Sequence, residues 1–146
     1  MYHTILVPLD GSKRAEAILP HIENLAKRYS ARVILLQVIN SLHHIGTYHP
    51  TDLIEETWLV DHIEQALDYF KNLAWDYQSQ GIQVQELIEK GPIVGTIMQV
   101  AQRENVDLVA LASHGRTGMD RVFYGSVAAG VLHSIDRPLL LIRSDS

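Results

Sequence analysis

Four short apolar runs punctuate this chain and read as buried strands: Thr4-Ile5-Leu6-Val7, Arg32 to Ile39, Val106 to Ala110, and Leu139 to Ile142. The second, Arg-Val-Ile-Leu-Leu-Gln-Val-Ile, is too uniformly apolar for a sheet with one wet face and must be covered on both sides. A fifth run, Ile82 to Ile88, alternates apolar and polar residues and therefore reads as a strand nearer an edge. Between these runs lie stretches with the three-and-four spacing of amphipathic helices. Ser12 opens one carrying Ala15, Ile18, Leu19, Ile22, Leu25, Ala26 and Tyr29, with Pro20 expected to interrupt and bend it. A longer one runs from about Asp52 to Ser79, with Ile63, Ala66, Leu67, Phe70, Leu73, Ala74 and Tyr77 inward and Trp58 and Trp75 partly buried; Gly81 closes it. Gly91-Pro92 introduces a helix with Ile93, Val94, Ile97, Val100 and Ala101, and a final helix turns Ala128, Val131, Leu132 and Ile135 to one side.

The order β-α-β-α-β-α-β-α-β predicts an α/β fold: an open, mostly parallel five-stranded sheet with helices on both faces, because parallel neighbours need crossover connections. With strands in the order 3-2-1-4-5, ligands belong in the crevice between the carboxyl ends of strands one and four, where successive connections change sides. The turns after those two strands carry the most chemistry: Pro8-Leu9-Asp10-Gly11-Ser12, and Ala112 to Gly118 followed by Gly125-Ser126-Val127. Gly115, Gly118 and Gly125 fall within eleven residues between a strand and a helix. Glycines let backbone N–H groups approach an anion, and a helix N-terminus adds unpaired donors and a positive dipole end. This pattern predicts a phosphate-binding loop. It is neither a Walker loop ending in Lys-Ser or Lys-Thr nor the dinucleotide glycine triplet.

Individual residues admit more than one role. Ser126 can cap its helix, grip a phosphate oxygen, or both. Asp10 can stabilise its turn, or contact a ribose or a nucleotide-bound cation, since Mg²⁺ held with a nucleotide takes one or two carboxylates. Arg116 is either a solvated loop cation or a phosphate ligand. Ser113-His114 suggests a hydrolase, but no nucleophile elbow accompanies it. His43, His44 and His49 share a polar loop with Gly46 and Pro50, and their spacing favours a solvated loop over a metal site.

Composition narrows the partners. The chain has 146 residues, suited to one domain, with a net charge of −5 and scattered basic residues that argue against a nucleic-acid backbone. Cysteine is absent, so there is neither a disulfide framework nor a thiolate metal site. No apolar run approaches the length that crosses a bilayer, and the N-terminus lacks a basic segment before an apolar stretch; a cytoplasmic location is expected.

These residues together resemble the universal stress protein family over essentially the whole chain. The resemblance is carried by Ile5-Leu6-Val7-Pro8-Leu9-Asp10-Gly11-Ser12, the strand from Val33 to Ile39, Gly91-Pro92, and Ala112-Ser113-His114-Gly115, a nine-residue spacer, and Gly125-Ser126. The ATP-binding branch is described by Gly-two-Gly-nine-Gly-Ser/Thr, and here Ala112 stands where that pattern begins with glycine. The resemblance implies a Rossmann-like fold. It puts Asp10 and the backbone of Val38 on the ribose and adenine, with Pro8 and Leu9 lining the pocket. Ala112, His114, Gly115, Arg116, Gly118, Gly125, Ser126 and Val127 then surround the phosphates. It also implies ATP, ADP or AMP as ligand, accompanied by Mg²⁺ or Mn²⁺ near Asp10, and a homodimer through Leu139 to Ile142, an apolar edge that would otherwise be exposed.

The resulting expectation is a dimeric, ATP-binding stress-response module with at most slow hydrolysis, since no residue is recognisable as positioning water or as a transition-state finger. The alternative is a protein-interaction module on the same fold, with an unknown protein partner and a degenerate pocket signalled by Ala112. A true adenylate-transfer or hydrolytic enzyme is a weaker third reading.

Overall fold

The computed structural model describes residues 1–40, 52–113 and 125–144, the side chains of 52–56 excepted. Strands β1 (Thr4–Pro8), β2 (Arg32–Ile39), β3 (Val84–Lys90), β4 (Leu108–Ser113) and β5 (Leu139–Arg143) form one sheet in the order β3-β2-β1-β4-β5. Every pairing is parallel, with Ile5 opposite Val33 on one side and Leu108 on the other. Helices α1 (Leu19–Tyr29), α2 (Asp52–Gln78), α3 (Ile93–Arg103) and α4 (Ser126–Ser134) make the connections. The predicted Rossmann-like α/β sheet and its strand order are therefore present.

Alternation along each strand divides the core. Ile5, Val7, Val33, Leu35, Leu108 and Ala110 face α1 and α2, where Ile18, Ile22, Phe70 and Tyr77 cover them. Leu6, Ile34, Leu36, Val109 and Leu111 face α3 and α4, where Ile97, Val100, Ala128 and Val131 close the second layer. Each fully buried Ile, Leu or Phe contributes about 1.5–3 kcal/mol relative to exposure. Both faces of the central strands are dry because both are covered by helices.

Several local expectations change. Pro20 does not interrupt a helix: Ala15–Ile18 form a 3-10 turn, α1 begins at Leu19, and the proline occupies the first helical turn. The missing N–H is harmless there and the fixed φ suits the position. Strand β4 continues to Ser113, so Leu111, Ala112 and Ser113 belong to the sheet and not to the loop. Strand β3 begins at Val84 and runs on to Lys90, two residues later at each end than predicted, and it is the sheet edge.

On α2, Ala66, Phe70, Ala74 and Tyr77 are buried as expected, but Leu67 is exposed and Trp75 is 70% exposed. Trp58 is 45% exposed and lies against the His62 ring. The inward stripe is thus narrower than the apolar stripe in the sequence. Leu132 on α4 is likewise exposed, while Ala128 and Val131 are buried in the layer and Val127 packs at its margin. Tyr77 ties the two helices of its face together, its hydroxyl donating to the Leu19 carbonyl at 2.7 Å.

Two glycines on this framework show different geometric needs. Gly81, at φ +84°, turns the chain after α2. Gly130 lies where α4 crosses α3, and a Cβ there would stand 2.6 Å from Val94 Cγ2.

The amino ends of the strands are fastened by side chains the sequence reading did not single out. Asp107 accepts hydrogen bonds from the N–H groups of His3 and Thr4, at 2.8 and 3.2 Å, joining the starts of β1 and β4. Arg137 sends its guanidinium to the carbonyls of Ala101 and Val106, at 2.8 and 3.0 Å, fixing the end of α3 and the approach to β4.

Candidate functional site

At the carboxyl ends of β1 and β4 the connections part to opposite faces, the 3-10 turn and α1 covering one and α4 the other. Splayed connections leave a gap between the strand ends. That gap is an open cavity of about 270 Å³. Its base is apolar: Leu36 and Val38 from β2, with Ile93 and Ile97 from α3. Its rim is polar, formed by Asp10 and Arg14 on one side and by Gly125 and Ser126 on the other.

The Asp10 side of the rim is built locally. Pro8 ends β1, and the Leu9 N–H still pairs with the Leu36 carbonyl at 2.8 Å, so the chain leaves the sheet with Asp10 held at the mouth. Gly11 at φ +86° then turns it back. Asp10 Oδ1 accepts from both the N–H of Ser12 (2.9 Å) and its hydroxyl (2.6 Å). The Ser12 hydroxyl in turn accepts from the Ala15 N–H at 3.2 Å, giving the first turn its cap. Asp10 Oδ2 faces the Arg14 guanidinium at 3.5 Å. Burial raises the pKa of Asp10, but the two hydrogen bonds from Ser12 and the charge of Arg14 outweigh it and hold the carboxyl below its ordinary value. Asp10 is an anion at neutral pH.

The opposite rim is the start of α4. Gly125, buried at φ +81° and ψ 156°, occupies the cap position, and among the described residues no side chain caps the helix. Ser126 is the first helical residue and not the cap, contrary to one of its expected roles. An α-helix leaves its first N–H groups without intrahelical partners, so those of Ser126, Val127 and Ala128 present a concentrated positive end at the cavity. The apolar base accepts a flat ring, and the rim offers a carboxylate at one point and anion-binding donors at another.

Of the residues expected at the site, Pro8, Leu9, Asp10, Val38, Ala112, Gly125, Ser126 and Val127 all line this cavity. His114, Gly115, Arg116 and Gly118 lie outside the described residues, as do His43, His44 and His49. Ala112 lies in strand β4, away from the left-handed backbone region, so a glycine is not needed there. Ser113 is 2% exposed within the same strand. Among the described residues no three His, Asp or Glu side chains gather as metal ligands, and Asp10 already shares its oxygens with Ser12 and Arg14.

Arg14, Ile93 and Ile97 are lining residues that the sequence reading missed. For Arg14 a signal exists, a basic residue four positions after Asp10. Ile93 and Ile97 are indistinguishable in sequence from ordinary core positions of α3.

An open parallel sheet with a crevice at its switch point defines an α/β protein of the Rossmann-like kind. Residues 1–143 match the model of the universal stress protein family, and the chain belongs to that family. Universal stress protein MJ0577 of Methanocaldococcus jannaschii is 27% identical over 155 aligned positions, spanning 98% of this chain and 96% of the relative. The solved structure of MJ0577 superposes with a TM-score of 0.85, covering 100% of this chain and 99% of that one at 27% identity. The universal stress protein UspA of Lactobacillus plantarum, at 24% identity, superposes with a TM-score of 0.83 over 97% and 98% of the two chains and shares the fold.

Proposed function

We propose that this protein is a dimeric, adenine-nucleotide-binding stress-response module. The observation that carries the reading is the cavity at the switch point, where an ionised Asp10 and the uncapped start of α4 flank an apolar base. The base stacks adenine, Asp10 accepts hydrogen bonds from the ribose hydroxyls, and the N–H groups from Gly125 to Ala128 hold phosphate oxygens. The glycine spacing from Gly115 to Gly125-Ser126 supports the same assignment, with His114, Gly115, Arg116 and Gly118 completing the phosphate side. ATP, ADP or AMP is the ligand class. Any Mg²⁺ or Mn²⁺ arrives with the phosphates, since the described residues supply one carboxylate and no cage for an ion of their own.

The reading assigns a binding role, with turnover near background. Dimerisation is proposed through β5, an edge strand whose Leu139, Leu140, Leu141 and Ile142 are half-buried in the monomer. Pairing that edge with a second copy removes an aggregation-prone row of backbone groups. Among the described residues no helix is long and apolar enough to cross a membrane.

The test is a native mass spectrum of protein purified without added ligand, followed by titration with ATP, ADP, AMP and cyclic AMP. Subunit pairs carrying a nucleotide mass, and saturable binding of at least one of these ligands, are expected. A protein that carries no nucleotide and binds none of them is not the module proposed.

A further inference from the structure

Arg14 is, among the described residues, the one basic side chain lining the cavity, and neither the glycine pattern nor the turn after β1 assigns it a role. Its partner holds it weakly. The contact to Asp10 Oδ2 is 3.5 Å, longer than the 2.7–2.9 Å of a charge-assisted hydrogen bond, and is made to a carboxylate 59% exposed. Asp10 keeps its two Ser12 hydrogen bonds without it, because both go to the other oxygen. Arg14 itself is only 23% exposed, so its charge is partly withdrawn from bulk water where it lines the cavity.

Its place within the cavity is set by the fold. The 3-10 turn that follows Arg14 packs over β4, whose last residue, Ser113, leads toward the glycine-bearing segment ending at Gly125. The apolar walls, Leu36, Val38, Ile93 and Ile97, come from β2 and α3. The guanidinium thus belongs to the polar rim beside Asp10, across the cavity from the start of α4.

Resting on the nucleotide reading above, we propose that Arg14 is the phosphate-sensing side chain of this crevice. Its guanidinium moves from Asp10 Oδ2 to the phosphate oxygens of a bound nucleotide, leaving that carboxylate oxygen to the ribose. A phosphate offers the guanidinium the bidentate geometry that the 3.5 Å contact lacks. The exchange makes affinity depend on phosphate charge, so the pocket distinguishes a phosphorylated nucleotide from the bare nucleoside. Asp10 keeps its charge throughout, because its Ser12 bonds are unaffected.

The experiment is calorimetric titration of adenosine, AMP, ADP and ATP into the full chain and into Arg14→Gln and Arg14→Lys at one fixed ionic strength, with circular dichroism melting of each variant. Wild type is expected to bind ATP more tightly than adenosine. Arg14→Gln is expected to lose roughly tenfold to a hundredfold of ATP affinity, the worth of one hydrogen bond between charged groups, with adenosine affinity changed less than about twofold. Arg14→Lys, which keeps the charge without the fork, is expected to retain part of the preference. Equal losses for ATP and adenosine would make Arg14 a mere support of the pocket wall, and an unchanged ATP affinity would make it idle; either result overturns the proposal. Wild type that binds neither ligand instead removes the nucleotide reading on which it rests.

Discussion

The two ends of the sheet are built on opposite principles. At the amino end, side chains close the structure: Asp107 takes the N–H groups of His3 and Thr4, and Arg137 takes the carbonyls of Ala101 and Val106. At the carboxyl end the backbone groups of α4 are left without a side-chain cap, and Gly125 replaces a residue that could have supplied one. The same kinds of polar group are satisfied internally at one end and held available at the other. Long-range side-chain hydrogen bonds gather where β1 and β4 begin, and the cavity opens where they end.

Breaking the open end has the largest expected effect. Valine at 125 must adopt φ +81°, a conformation that β-branched residues strongly resist, so the start of α4 is displaced. Gly125→Val is expected to weaken ATP binding roughly a hundredfold, the equivalent of about 2.7 kcal/mol, as measured by titration of a fluorescent analogue. Unchanged affinity would mean that the helix start is not the anion site.

The closed end gives the converse. Arg137→Ala takes its donor from the Val106 carbonyl and leaves the Ala101 carbonyl with the Val106 N–H alone, and is expected to lower unfolding free energy by about 2 kcal/mol in urea, with nucleotide affinity untouched. Asp107→Ala, which releases two N–H groups closer to solvent, is expected to cost about 1 kcal/mol in the same assay. A loss of affinity in either variant would show that the two ends are coupled.

The smallest effect is a pH dependence at Asp10. Folding lowers its pKa below the ordinary 3.8, so its contribution to stability is complete above that value and is lost as pH falls through the folded-state value. The carboxylate is 59% exposed, which limits the contribution to less than about 1 kcal/mol. The melting difference between wild type and Asp10→Asn should be constant from about pH 7 to pH 5 and close below pH 3.8. A difference that persists in strong acid would detach it from ionisation of this carboxyl.

The carboxyl end of this comparison was legible before the fold was known, because strand-terminating signals are local. Pro8 followed by Asp10-Gly11-Ser12 announces an end of strand and a turn, and the structure adds only the Ser12 hydrogen bonds. What sequence could not separate was apolar from buried. Leu67, Trp75 and Leu132 fit helical stripes yet face outward, since the stripe that α2 or α4 presents depends on where the sheet lies beneath it. Pro20 misled for a related reason. Its effect depends on whether the preceding turn is α or 3-10, and that is decided by packing on β4. Asp107 and Arg137 carry no signal of their roles, since their partners at His3 and Ala101 are distant in sequence.

The amino-acid order alone determined the alternation of strands and helices, and with it a parallel sheet whose switch point separates β1 from β4, because hydrophobic periodicity and crossover handedness are properties of the chain. Only the tertiary structure decided which side chains meet across that switch point. Asp10 and Arg14 at one rim, Ile93 and Ile97 at the base, and the start of α4 opposite are brought together by helices packing on two faces of one sheet; beyond the local Asp10–Arg14 pair, that proximity is a matter of three-dimensional distance that no local pattern encodes.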